Sequence, residues 1–214
     1  NNSLYQNSHV SIMRLISTNL CDTPMVLKGG TALLLCYDLD RHSEDLDFDS
    51  SKKMNLENRI ISSVQGNFSI DGMKVLKDTD TVQRIRILYS NNAIGTKGSL
   101  KIETSFRSNP KEEDIIIKNG IRVYNIEKLF FQKVDAFLNR TVARDLFDIN
   151  YILTKTNCNP DSYSANRLFN VLETSTQIND ISKQFKEAFE ADYILKDYDC
   201  NDLVTSISNA IMRH

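Results

Sequence analysis

The chain has 214 residues, with 26 Lys and Arg against 28 Asp and Glu, and a formal charge of −2 at pH 7. Its 41% hydrophobic and 25% charged residues exclude a disordered chain, a collagen-like fibre and a polybasic tail protein. The longest apolar run, Ala32 to Tyr37, is far short of the roughly 20 residues a membrane-spanning helix needs. The polar, Asn-rich start lacks the basic and apolar stretches of a secretion signal. It begins with Asn rather than Met, so a few residues are expected to precede it. Cys21, Cys36, Cys158 and Cys200 show no C-x-x-C spacing, and His9, His42 and His214 lie far from most of them. They read as scattered thiols in a reducing compartment rather than as a zinc site. The expectation is a cytoplasmic protein with no membrane partner. The near-neutral charge argues against bulk electrostatic binding of nucleic acid and leaves room for a local basic surface.

In chain order, residues 3–20 have an amphipathic helical period, with Tyr5, Ile12, Met13, Ile16 and Leu20 near one face. Met25 to Leu27 reads as a short buried strand. Gly29-Gly30 breaks the chain, and Thr31 is expected to cap a helix running to about Leu39. Leu46 to Phe48 is a second short strand, and 55–65 is helical. Residues 81–89 and 99–107 alternate apolar and polar at period two, as half-buried strands do. Asn119-Gly120 between two apolar runs marks a hairpin within Ile115 to Tyr124. From Asn125, a plausible N-cap, the period becomes helical, with Ile126, Phe130, Val134 and Phe137 on one stripe. Further helices are expected over 142–154, 161–173, 178–195 and 200–213. The reading is an α/β half, residues 1–124, followed by a helical half, residues 125–214.

Four segments could carry chemistry. Lys28-Gly29-Gly30-Thr31 lies between a strand and a helix; glycines admit close approach and a helix N-terminus offers free N–H groups, which suits a phosphate. A Gly-Gly turn also serves as a plain connection. From Asp38 to Asp49 there are six acidic residues and one basic. If Leu46 to Phe48 is a strand, Asp45 and Asp47 project to one side about 7 Å apart, a pairing able to hold Mg²⁺. A solvated acidic loop is the plain alternative. Glu103, on the polar face of a later strand, offers a third carboxylate, unless it and Lys101 merely offset each other. From Arg84 to Arg107 five basic residues accompany one acidic one, a face that could steer a triphosphate or an RNA backbone, or simply meet solvent. Asp145 and Asp148 are i,i+3 neighbours on a helix, where an Arg144–Asp148 ion pair is the local account.

A Gly-Gly turn into a helix, D-x-D on the next strand and one more acid on a later strand resembles the nucleotidyltransferase superfamily. Within it the chain looks like the AbiEii/AbiGii toxin family, MenT-like toxins among them. The matching residues are Leu27-Lys28-Gly29-Gly30-Thr31-Ala32-Leu33, then Arg41-His42-Ser43-Glu44-Asp45-Leu46-Asp47-Phe48, then Lys101-Ile102-Glu103. Lys133, Arg140 and Arg144-Asp145-Leu146-Phe147-Asp148 follow in the family's order. The resemblance covers roughly residues 25–153. One departure is His42, where such proteins commonly carry an aromatic residue.

The resemblance implies an α+β fold: a nucleotidyltransferase-like mixed β-sheet with flanking helices, then a C-terminal helical half. It implies a Mg²⁺- or Mn²⁺-dependent enzyme that takes a nucleotide from an NTP and transfers it to an acceptor. RNA is the acceptor it points to, and for some members the tRNA 3′ end. The setting is a toxin–antitoxin or abortive-infection system, with a cognate antitoxin as partner. Lys28, Gly29, Gly30, Thr31 and Ser43 would bind the nucleotide. Asp45 and Asp47 would be metal ligands, and Glu103 a ligand or the base for the acceptor hydroxyl. Lys133 would contact phosphates as a point charge, and either Asp145 or Asp148 would complete the catalytic set. A small-molecule or protein acceptor shares these motifs. So does a catalytically silent nucleotide- or RNA-binding protein.

Overall fold

The computed structural model describes residues 2–64, 66–140, 142–173, 183, 189–190, 192 and 194–213. The chain divides into two compact units, Asn1–Tyr124 and Asn125–His214.

The first unit opens with α1 (Asn2–Asn19), β1 (Met25–Lys28), α2 (Gly29–Tyr37), β2 (Asp45–Ser50) and α3 (Glu57–Ser63). Three long strands follow: β3 (Phe68–Asp78), β4 (Val82–Asn91) and β5 (Thr96–Ser105). A 3₁₀ turn at Glu112–Asp114 leads into β6 (Ile115–Lys118) and β7 (Ile121–Tyr124). All seven strands form one mixed sheet in the order β3-β4-β5-β2-β1-β7-β6. The β2–β5 and β1–β7 pairs are parallel and the others antiparallel. Crossovers therefore bring two strands from early in the chain to the centre of the sheet.

Local sequence explains most of these elements. Ile12, Met13, Ile16 and Leu20 are buried as their helical spacing requires, while Tyr5 lies at the exposed margin of that stripe. Asn119 and Gly120 both adopt positive φ, 55° and 75°, the geometry of a two-residue hairpin turn. Helix α2 begins at Gly29, not after Thr31, and ends before Asp38, which takes a left-handed C-cap at φ 59°. Thr31 is inside the helix, and its hydroxyl serves a tertiary contact instead of a cap. Strand β3 has no counterpart in the sequence pattern. It is an edge strand whose pairing with β4 shifts register between Ile70 and Gly72 and again between Val75 and Lys77, so strict alternation is lost.

The second unit contains α4 (Ile126–Arg140), α5 (Ala143–Lys155), α6 (Ser162–Glu173) and α7 (Cys200–Ile211) among its described residues. The Asn125 side chain accepts from the Lys128 N–H at 2.8 Å, and Asp161 and Asp199 cap α6 and α7 in the same way. Phe130, Val134 and Phe137 of α4 are fully buried, as are Leu146, Ile149 and Ile152 of α5. The expected helix over 178–195 falls largely outside the described residues. Among the described residues no helix is long and apolar enough to cross a membrane. All four cysteines are free, and burial pushes the Cys36 and Cys158 thiols up to about 12, which keeps them unreactive near neutral pH.

Gly98 pairs across the sheet with Tyr89, whose ring is buried and lies over it; a Cβ at Gly98 would overlap that ring. Tyr89 is held by a hydrogen bond to His9, which limits its retreat. Gly98→Ala is therefore expected to destabilise the protein by about 1–3 kcal/mol, read as a lower urea midpoint with unchanged slope.

Candidate active site

Strand β2 alternates Asp45, Asp47 and Asp49 with Leu46 and Phe48. The two apolar side chains are fully buried, which fixes the three carboxylates on the opposite face. Parallel pairing with β5 sets Asp45 beside Lys101 and Asp47 beside Glu103. Antiparallel pairing continues the rows, Lys101 to Arg86 and Glu103 to Arg84. On the other side Asp47 is the partner of Lys28 on β1. The site is thus a cross-strand grid of charges on one sheet face.

Within this grid the ion pairs differ from the alternative in which Lys101 and Glu103 offset each other. Lys101 Nζ is 2.6 Å from Asp45 Oδ2, and Arg84 Nη2 is 2.6 Å from Glu103 Oε2. Both pairs run across strands, because direct cross-strand neighbours approach more closely than i,i+2 neighbours along one strand. Burial pushes the Asp47 carboxyl above the usual carboxylate range. The like charges of Asp45 and Glu103 push it further, against the smaller pull of Lys28 and Lys101.

The Gly-Gly turn abuts this cluster. Gly29 takes φ 74°, and a Cβ there would stand 3.5 Å from Asp47 Oδ2. A Cβ at Gly30 would stand 2.6 Å from Arg41 Nη2, so a side chain there would displace the guanidinium. Arg41 is buried and thus brings a cation onto the first turn of α2. The Thr31 hydroxyl donates to the Asp45 carbonyl at 2.5 Å and lies 2.6 Å from the Ser43 hydroxyl. Thr31 and Ser43 therefore join the start of α2 to the start of β2. The structure brings Lys28, Gly29, Gly30, Thr31, Ser43, Asp45, Asp47 and Glu103 together in the first unit.

Residues outside the sequence-derived set support this cluster. Asp49 is buried, paired with Lys28 Nζ at 2.5 Å, and accepts from the Tyr124 hydroxyl at 2.9 Å. His9 on α1 is buried with Nε2 2.9 Å from the Glu44 carbonyl and Nδ1 2.7 Å from the Tyr89 hydroxyl. A carbonyl only accepts, so Nε2 carries the proton. His9 ties the residue before Asp45 to α1 and β4. Arg41 and Asp49 stand within the acidic motif and were legible as part of it; His9 and Tyr124 carry no local signal.

In the second unit, Lys133 Nζ lies 3.1 Å from Asp145 Oδ1 and 2.6 Å from Asp148 Oδ2. Arg140 grips Asp145 through two bonds, at 2.8 and 2.9 Å. Both carboxylates are essentially inaccessible, at 1% and 0% side-chain exposure, and Lys133 is 9% exposed. Arg144 pairs with Asp192 at 2.5 Å, and Asp148 with Lys133 at 2.6 Å. Burial alone would raise the Asp145 carboxyl; the Arg140 and Lys133 bonds outweigh it and hold it below its usual value.

Two outcomes follow from these charges. Asp47 has a folded-state value above its unfolded one, near 3.9. Its ionisation costs stability as pH rises beyond that unfolded value. Asp47→Asn should thus raise the thermal midpoint at neutral pH, with the difference vanishing at pH 3. Asp145 has the opposite sign, so its contribution is complete at neutral pH and lost as pH falls through its depressed value. Lys133→Met removes the ammonium that two buried carboxylates share and should cost about 3–5 kcal/mol in urea unfolding at pH 7.

The AbiEii family model, described as nucleotidyl transferase AbiEii toxin, type IV TA system, matches residues 11–198. No curated protein matches the chain by sequence. The crystal structure of JHP933 from Helicobacter pylori aligns at 32% identity and a TM-score of 0.88, covering 97% of this chain and 90% of that one. A "putative nucleotidyltransferase from H. pylori" aligns at 32% identity and a TM-score of 0.87, covering 97% and 93%. The match over most of its length shows that the chain belongs to the AbiEii family of nucleotidyl transferase toxins.

Proposed function

We propose that the protein transfers a nucleotide from an NTP to an RNA acceptor, with Mg²⁺ or Mn²⁺ as the metal, and that this transfer is its toxic activity. The tRNA 3′ end is one such acceptor, and a cognate antitoxin is the partner that the type IV family description supports. The observation that carries the reading is the convergence of Asp45, Asp47 and Glu103 beside the glycine turn at the start of α2.

The donor set suits a hard divalent cation. Oxygen ligands are what Mg²⁺ takes, and Asp47 carries repulsion from Asp45 and Glu103, only partly offset by Lys28 and Lys101, that such a cation would remove. Among the described residues no three His, Cys, Asp or Glu side chains stand ready grouped as a metal site. Lys101 and Arg84 engage Asp45 and Glu103 instead, so Asp45 must exchange Lys101 to act as a ligand. Asp45 and Asp47 would hold the ion; bound there, it neutralises phosphate charge and aligns the α-phosphate.

The chain's own residues supply the rest. The N–H groups of Gly29, Gly30 and Thr31 at the head of α2 face the triphosphate, with Lys28 and Arg41 adding positive charge. Ser43 steadies this edge through Thr31. In the transfer the acceptor hydroxyl oxygen bonds to the α-phosphorus, and the bond from that phosphorus to the α,β-bridging oxygen breaks, its electron pair leaving with pyrophosphate. Glu103 receives the hydroxyl proton once Arg84 releases it. For Lys133, whose ammonium is held by Asp145 and Asp148, the resemblance implies a phosphate-binding role.

The test is incubation with total RNA, Mg²⁺ and each labelled NTP in turn, beside Asp45→Ala. Label should enter RNA from one NTP and be lost in the variant. Label in protein or small molecules would overturn the RNA acceptor, and no label anywhere would overturn transfer. Independently of activity, Mg²⁺ should raise the thermal midpoint of the wild type and leave that of Asp47→Asn unmoved.

A further inference from the structure

We propose that the open face of β3, β4 and β5 is the track along which the phosphate backbone of a single-stranded RNA acceptor reaches the acidic cluster. The inference rests on the transferase reading above and adds a surface to it. Strand register builds the track. One row runs Asp47, Glu103, Arg84, Lys77 across β2, β5, β4 and β3; the next runs Asp45, Lys101, Arg86, Lys74. Directly paired residues share a sheet face, so both rows lie on the face opposite the apolar Leu46, Phe48, Ile85, Ile87 and Ile102.

Sign changes along each row. The acids stand at the β2 end and the cations at the β3 edge, three interstrand steps or about 14 Å away. Lys74, Lys77 and Arg86 are exposed and make no ion pair among the described residues. Arg84 and Lys101 are partly committed to Glu103 and Asp45. The nearby acids of β3 are engaged elsewhere: Asp71 with Ser69 and Ser90, and Asp78 with Lys53. Leu88, 51% exposed, adds an apolar spot on the same face. In a chain of net charge −2, three uncommitted cations in line with the acid cluster are a local feature and not bulk basicity.

The arrangement suits a polyanion with an end. A phosphate backbone lying on the cations can present its terminal hydroxyl at Asp47 and Glu103. A lipid surface has no such end, and an acidic protein has no reason to be aligned with that cluster. The track is two rows wide, about 7 Å, which fits one strand better than a duplex.

The experiment compares wild type with the triple variant Lys74→Gln, Lys77→Gln, Arg86→Gln. Binding of a short fluorescent single-stranded RNA is measured across a salt series, with labelled NTP binding and anionic phosphatidylserine vesicles as parallel arms. All three side chains are exposed, so the triple variant keeps the fold. The expected result is RNA affinity reduced about tenfold or more at low salt. The slope of log K against log salt should fall by about 2, at about 0.7 per lost phosphate contact. NTP binding should not change. An unaltered affinity and slope in the triple variant would overturn the track. So would wild type that binds NTP and not RNA, an outcome that leaves the transferase reading standing. Wild type that binds neither overturns that reading as well. Vesicle binding stronger than RNA binding and lost in the variant would assign the face to a membrane surface instead.

Discussion

Parallel pairing of β2 with β5 is the constraint on which the candidate site depends. It sets two acids from early in the chain against a third from much later, at a spacing no local sequence could create. Like charges so placed repel, and the sheet tolerates them because Lys28, Lys101 and Arg84 stand in the neighbouring strands. The compensation is incomplete at Asp47, which burial and its neighbours leave reluctant to ionise. A cluster that folding alone would avoid is kept where the chemistry would use it, the usual pattern of stability yielded at a working site.

The second unit treats buried charge differently. Lys133, Arg140, Asp145 and Asp148 satisfy one another closely, and Asp145 remains ionised with ease. Such a network fixes the relation of α4 to α5, since each charge would be costly to leave alone in the interior. One unit thus holds carboxylates under strain of repulsion, and the other holds them neutralised.

Much of this was legible in the residues. The period-two pattern of Leu46 and Phe48 placed Asp45 and Asp47 on one face, and both apolar side chains are buried as that pattern requires. Asn119-Gly120 named its turn, and Asn125 its cap. What escaped was non-local. The ion partners of Asp45 and Glu103 depend on which strands lie side by side, which no local spacing shows. Strand β3 escaped because two register shifts break its alternation. Thr31 looked like a cap because its type favours one, yet the Asp45 carbonyl claims its hydroxyl. His9 could not be singled out, because both of its partners arrive from distant segments, Glu44 and Tyr89.

The sheet order also bears on how the molecule is made. β2 must wait for β5, its parallel neighbour, which is encoded after β3 and β4. Glu103 follows Asp47 by 56 positions, which at ~5–20 residues per second is roughly 3–11 s of synthesis. Throughout that interval the growing chain holds the D-x-D motif without its third acid. Parallel, long-range pairing is also slow to form. A chain that ends before β5 therefore has no assembled acid cluster, and the complete site exists only after most of the first unit has emerged.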